Sequence, residues 1–266
     1  MINMPTKQSR YQPGVLVVIA TLGQRSDYLK KTLDSIIAQD YSTLDIVLVY
    51  PFKSKETKEI ASNYNAASID DPGSMSSAAN LGIKSAQKKH TYVTWIGDDD
   101  LLEEDAIKNS VALLEMRPEA TASYGYCHYI DAEGAQLFTN KAGRIAPWLM
   151  TWGPDLVPLP GSVFRVASLE KLDYIFDESL NYAMDLDLFL RLRKLGPLAN
   201  VGRPVSSFRW HAASATVSNR KKSLREAEMV KRRYLGKRLR VAAPLWEVPI
   251  RIATMLAAKR ISKIKK

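Results

Sequence analysis

An apolar run rich in β-branched and aromatic residues, Tyr92-Val93-Thr94-Trp95-Ile96-Gly97, leads straight into three carboxylates, Asp98-Asp99-Asp100. Such a run reads as a buried strand. Three adjacent acids at its end cannot all be buried unpaired, because each uncompensated charge costs many kcal/mol. The acids repel one another, and a cation relieves that repulsion. Oxygen-only ligands suit Mg2+ or Mn2+, the more so when a phosphate supplies further oxygens. The alternative is a solvated acidic loop.

The chain before this stretch alternates strand and helix patterns. Residues 15–20 are a continuous apolar run, as expected of a buried parallel strand. After loop 21–26, Tyr28, Leu29, Leu33, Ile36 and Ile37 recur at helical spacing, with Ser26 or Asp27 as candidate caps. A strand over 44–49, a helix over 55–64, a short strand at 67–69 and a helix over 77–89 complete the series. This βαβαβ order predicts a parallel sheet with helices on both faces, and ligands in such sheets sit at the carboxyl ends of the strands. Thr21, Arg25, Tyr50, Asp71 and the three aspartates all fall at that edge, which favours a nucleotide pocket over a surface acid patch. Beyond it the pattern gives a helix over 104–116, a strand over 121–129 turning at 130–134, a strand at 163–165 and a short helix at 168–172. Segment 146–161 carries four prolines and two tryptophans without periodicity and reads as a functional loop or lid.

The 266 residues allow one large domain with an appendage, and 46% hydrophobic residues allow a full core. Cys127 is the sole cysteine, so no disulfide forms within the chain, which fits a reducing compartment. Residues 1–14 are polar, without the apolar core of a signal peptide, and no apolar run reaches the roughly 18 residues of a spanning helix. The formal charge of +10 is concentrated after residue 220, while the preceding chain is near balance.

Taken together, these pieces resemble inverting family-two nucleotide-sugar glycosyltransferases of GT-A fold, over residues 15–216. The resemblance is carried by Val17-Val18-Ile19-Ala20-Thr21 with Arg25, by Leu33-Asp34-Ser35-Ile36 with Gln39-Asp40-Tyr41, and by Ala78-Ala79-Asn80-Leu81-Gly82-Ile83. It continues through Asp98-Asp99-Asp100-Leu101-Leu102, Pro160-Gly161, Phe176-Asp177-Glu178-Ser179-Leu180 and Ala183-Met184-Asp185-Leu186-Asp187-Leu188-Phe189-Leu190-Arg191. Each piece is weak alone; their order and spacing make them specific.

The resemblance implies an α/β GT-A domain over 1–219, a Rossmann-like, mostly parallel sheet flanked by helices, with a basic helical extension over 220–266. Among the acids it implies Asp98 on the ribose and Asp99, ahead of Asp100, as the main ligand of Mn2+ or Mg2+ bridging the donor diphosphate. Asp185 matches the general base that takes the acceptor's proton in a single in-line displacement. Asp187 is the alternative acceptor-side acid, with a structural role opposite Arg191, one helical turn on, as the preferred reading. Thr21, Arg25, Asn80 and Asp98 fall on donor-binding positions, though Asn80 and Gly82 equally fit close packing of helix on strand. His211, beside Arg209, lies where relatives place a histidine near metal or diphosphate; His90 and His128 read as structural.

Two departures stand out. Met184 replaces the Glu usual before the base, and Val49-Tyr50-Pro51-Phe52-Lys53-Ser54 replaces an acidic, Gly-Ser-rich turn. Base recognition is therefore expected from stacking on Tyr50 and hydrogen bonds from Asp71, with UDP the default nucleotide. Trp148 and Trp152 are the candidate acceptor-stacking residues. The basic tail, broken by Pro244 and Pro249, either lies on a membrane surface or packs on the domain and solvates its lysines. No nucleic-acid recognition motif accompanies the charge. The implied reaction is transfer of a sugar to a glycan or lipid-linked acceptor in surface polysaccharide synthesis, by a cytoplasmic enzyme peripheral on the inner membrane face. A nucleotidyltransferase is disfavoured, because loop 21–25 has one glycine and cannot cradle a triphosphate. A degenerate glycan- or partner-binding protein is the non-enzymatic rival.

Overall fold

Strand β1 (Gly14–Ala20) is apolar at every position from Val15, and both of its faces are covered. A computed structural model describes residues 12–51, 53–71, 73–210 and 219–263, the last seven of these through their backbone only. Val15, Val17 and Ile19 face one core with Leu29, Leu33 and Ile36 of helix α1 (Ser26–Ile37). Leu16, Val18 and Ala20 face the other, as the two-residue period of a strand requires. Each fully buried aliphatic side chain is worth roughly 1.5–3 kcal/mol.

Strand β2 (Leu44–Tyr50), helix α2 (Lys55–Asn63), β3 (Ala67–Asp70), α3 (Met75–Lys84) and β4 (His90–Gly97) follow. Ser54 and Ser74 cap α2 and α3 by accepting from the Thr57 and Ser77 amides. The four strands run parallel in the order β3-β2-β1-β4. A Cβ on Gly82 would stand 2.3 Å from Val18 Cγ1, so only glycine lets α3 lie this close to β1.

The second half of the nine-stranded sheet is mixed. Strand β8 (Val163–Arg165) runs antiparallel to β4 and to β6 (Ala122–Ile130), and β9 (Leu198–Arg209) runs parallel to β6. Two-residue β5 (Leu101–Leu102) pairs with β9, and β7 (Gln136–Asn140) makes the expected hairpin with β6. The longest pairings are parallel. Helices α4 (Ala106–Met116), α5 (Ala146–Leu149), α6 (Val166–Leu169) and α7 (Met184–Leu195) complete this part. Helix α3 ends at Lys84, five residues before the sequence pattern has it end, in a turn that lets the Gln87 amide donate to His90 Nδ1.

The basic tail forms α8 (Arg220–Tyr234), α9 (Lys237–Ala242) and α10 (Pro244–Lys263). Helix α8 packs on the domain: Val230 is fully buried in the core that contains α7. Arg232 ion-pairs Glu247 and Arg251 ion-pairs Glu228, tying α8 to α10. Pro249 does not break the tail but lies inside α10. Leu245, Val248, Ile252 and Leu256 remain exposed along α10. No helix among the described residues is long and apolar enough to cross a membrane.

Candidate active site

The chain leaves β1 toward β2 and returns to pair β4 on β1's other side, so the connections splay apart at their carboxyl ends. Such a switch point is where ligands of parallel sheets enter. Ala20 pairs with Gly97, and the next residues are Thr21 and Asp98. Thr21 Oγ1 donates to Asp98 Oδ2 at 2.5 Å. Arg25, ahead of α1, donates one guanidinium nitrogen to Asp98 at 2.5 Å and another to Asp99. Burial pushes the Asp98 carboxyl up, while Arg25 and Thr21 pull it down. Burial, then the charge of Asp99, raises Asp100 well above the usual carboxylate range.

Helix α1 and β9 fix the backbone that carries these acids. Thr32, Ser35 and Gln39 lie along one face of α1 and its C-terminal turn. Thr32 donates to Asp100 O, Ser35 accepts from the Leu102 amide, and Gln39 bonds both Glu103 O and the Ile107 amide. From the other side the Arg209 amide donates to Asp100 Oδ1 at 3.0 Å. The Arg209 side chain, 1% exposed, donates to the carbonyls of Asp99, Asp131 and Ala132 and packs over Tyr28. Arg209 therefore holds the acid loop and its neighbour in place. These holding roles follow from no sequence motif, because the partners are backbone atoms distant in the chain.

Two carboxylate oxygens converge over the Cα of Gly97. A Cβ there would stand 3.1 Å from both Asp99 Oδ1 and Asp100 Oδ2. This cradle is oxygen-lined, and although Arg25 already pairs with the other oxygen of Asp99, the donor set fits a hard divalent cation. Among the described residues no group of three or more His, Cys, Asp or Glu side chains is arranged for a metal. Two protein carboxylates with phosphate and water completing the shell is a pattern common for Mg2+. His211 lies outside the described residues.

The other residues expected at the donor side divide. Asp71, just past β3, is buried; its Oδ1 accepts from the Gly73 amide at 2.8 Å, and its Oδ2 is buried without a hydrogen-bond partner. A carboxylate oxygen left so is ready for a ligand's N–H or O–H. The expectation for Tyr50 is corrected. Its ring is 1% exposed inside the core and its hydroxyl meets Ser68 at 3.3 Å, so it presents no face to a base. Asn80 is corrected too. Its amide donates to Phe176 O and Glu178 and accepts from the Phe176 amide, which makes it a latch on loop 176–178. His90 and His128 bond Asp45 and Thr139 respectively.

A cavity of about 290 Å3 lies among loop 152–160, the start of α7, and helices α8 and α10. Asp185, in the first turn of α7, lines it and accepts from the Leu186 amide at 2.8 Å. Among the described residues it forms no ion pair, and burial raises its carboxyl to about 6. Asp155, which the sequence did not single out, opens onto the same cavity; the surrounding protein and the charge of Asp185 push its carboxyl well up. Lys231 of α8 is buried in the cavity wall, its ammonium donating to Gly153 O at 2.5 Å. Burial pulls that ammonium down while Asp155 holds it up. Trp152 lines the cavity and packs against Trp246, with ring centres 5.8 Å apart. Trp148 does not line it and stands 60% exposed.

Asp187, fully buried, faces away from the cavity. It pairs with Arg191 at 2.8 Å and accepts from Tyr234 at 2.7 Å, so its alternative reading as an acceptor residue is withdrawn. Lys231 escaped notice because a basic helix hides a single buried lysine among solvated ones.

The sequence profile described as Glycosyl transferase family 2 matches residues 16–153. An uncharacterised glycosyltransferase of Rickettsia prowazekii is 27% identical over 227 residues, which are 79% of this chain and 68% of that protein. One of Rickettsia typhi is 26% identical over the same shares. Among solved structures, S. aureus TarS in complex with UDP-GlcNAc superposes with a TM-score of 0.63 at 14% identity, covering 82% of this chain and 65% of that one. The superposition shows the GT-A fold. The chain thus spans about two thirds of the length of these relatives.

Proposed function

The chain belongs to glycosyl transferase family 2, and from that premise we propose that it transfers a sugar from a nucleotide-sugar donor to a hydroxyl group with inversion at the transferred carbon. The observation that carries this reading is Asp185: a carboxylate at the head of α7, without an ion pair among the described residues, that opens onto a cavity it shares with Asp155 and Trp152. In the proposed step Asp185 takes the proton of the acceptor hydroxyl as its oxygen bonds to the sugar carbon. The bond from that carbon to the donor phosphate breaks on the opposite face, and the nucleoside diphosphate leaves with the electron pair. A carboxyl that titrates near 6 is ionised at neutral pH yet basic enough to accept the proton.

On the donor side, Asp71 Oδ2 is the candidate partner of the base, and Asp98, oriented by Thr21 and Arg25, that of the ribose. Asp99 and Asp100 would hold Mn2+ or Mg2+. Such an ion supplies electrostatic stabilisation of the charge gathering on the leaving diphosphate. UDP-sugars are the first donors to test, since TarS is seen with UDP-GlcNAc. Trp152 and Tyr129 give the cavity aromatic walls for a sugar ring of a glycan or lipid-linked acceptor, as surface polysaccharide synthesis requires. The exposed stripe Leu245, Val248, Ile252 and Leu256, with basic α9 beside it, supports peripheral attachment to the inner, anionic face of a membrane by a cytoplasmic enzyme.

A second reading, a degenerate binding protein, is favoured by one observation: Arg25 already neutralises two of the three acids. Turnover separates the two. With Mn2+ and a panel of nucleotide sugars, the enzyme releases nucleoside diphosphate and forms a product of inverted anomeric configuration, visible by NMR. Asp185→Asn binds donor and loses transfer. Absence of release with every donor favours the binding protein.

A further inference from the structure

We propose that Glu226 of α8 is a positioning residue for Asp185, its carboxylate fixing the turn from which the base-bearing helix α7 starts. Helix α7 begins after Ala183 with no side-chain cap of its own. Backbone amides that no helix or strand pairs need acceptors, and here one side chain from a distant helix provides them. Glu226 Oε1 accepts from the amides of Asn181 at 3.0 Å, Tyr182 at 2.6 Å and Ala183 at 2.8 Å. Three successive N–H groups converging on one oxygen form an anion nest, and Asp185 follows two residues later.

Helix α8 is firmly seated, so Glu226 acts from a fixed platform. Val230 is buried in the core, Arg233 pairs with Asp177 at 2.7 Å, and Tyr234 donates to Asp187. Asp185 therefore sits between two holds from α8: the nest before it and the Tyr234–Asp187 bond after it. The charge of Glu226 also reaches Asp185 and raises its carboxyl, in addition to the larger effect of burial. Asp155 from its loop, Tyr129 from β6 and Lys231 from α8 face Asp185 as well. Arg220 and the Glu228–Arg251 pair line the same cavity.

The inference rests on Asp185 being the base, and its test separates the two claims. Glu226→Gln keeps the oxygen that accepts all three amides and removes the charge; Glu226→Ala removes both. Amide hydrogen exchange reads the hold on residues 181–183 without any turnover. In Glu226→Ala those amides exchange at least about tenfold faster, and kcat falls roughly 10- to 100-fold with donor KM within about twofold. In Glu226→Gln they stay within about threefold of wild type, and the acid limb of kcat/KM moves to lower pH, because a negative charge that favoured protonation is gone. Wild-type exchange at 181–183 in Glu226→Ala overturns the proposal, as does an unmoved acid limb in an active, folded Glu226→Gln. Should Glu226→Ala fail to fold, the pH limb of Glu226→Gln decides. If wild type itself transfers nothing, the transferase reading fails while amide exchange still decides whether Glu226 holds the turn.

Discussion

Thr21 Oγ1 lies 2.5 Å from Asp98 Oδ2, joining the residue past the end of β1 to the residue past the end of β4 across the switch point. Thr21→Val keeps the shape of the side chain and removes the donor. Leaving a buried carboxylate oxygen unsatisfied costs about 1–3 kcal/mol. The expected result is a urea midpoint lowered with an unchanged slope, together with a raised donor KM.

Arg25 bridges Asp98 and Asp99, so it competes with any cation for the same oxygens. Arg25→Met should therefore strengthen the response of the melting temperature to Mn2+ or Mg2+ while weakening stability in EDTA. In wild type, EDTA should remove transfer and Mn2+ should restore it, read as release of nucleoside diphosphate. Calorimetry in the presence of each metal, and in EDTA, checks the effect of Arg25→Met.

The raised carboxyl of Asp185 sets a pH dependence with a definite sign. As the proposed base it must be ionised, so kcat/KM should fall on the acid side of about pH 6. In stability the effect is opposite. A carboxyl whose folded pKa exceeds its unfolded value costs the folded state nothing below the unfolded pKa, near 4. It costs increasingly as pH rises through 6. Asp185→Asn should melt higher than wild type at pH 8, with the difference closing below pH 4, while kcat drops by roughly 10²- to 10⁴-fold. Melting curves from pH 3.5 to 8 read this directly.

The stripe Leu245, Val248, Ile252 and Leu256 on α10 should meet lipid. Co-sedimentation with vesicles containing anionic lipid is expected for wild type and should weaken with added salt. A double variant, Leu245→Asp with Ile252→Asp, should stay in the supernatant with unchanged melting temperature, since both side chains are exposed.

The parallel half of the sheet was legible because its strands are unbroken apolar runs and its helices carry regular apolar spacing. The places of the acid cluster and of Asp185 in the fold were legible for a related reason: they follow from where a strand ends and a helix begins. Strand β9 was not, since Asn200, Gly202, Arg203 and Pro204 interrupt any alternation and the register against β6 shifts there. Tyr50 and Asn80 were misread because the direction in which a side chain points, into the core or into the pocket, depends on neighbours that come from elsewhere in the chain. Lys231, Asp155 and Glu226 were hidden for that reason too: their partners are Gly153, Asp185 and the amides of 181–183, which only the fold brings together.

A thermal-shift measurement with nucleoside diphosphates, with and without Mn2+, tests most directly whether the switch point is a nucleotide-sugar site. A ligand at a hundred times its dissociation constant adds about 2.7 kcal/mol, enough to move the midpoint clearly. A shift with one nucleoside diphosphate that requires the metal and disappears in Asp99→Asn is the expected result. Equal midpoints with every nucleotide, metal present or absent, would contradict it.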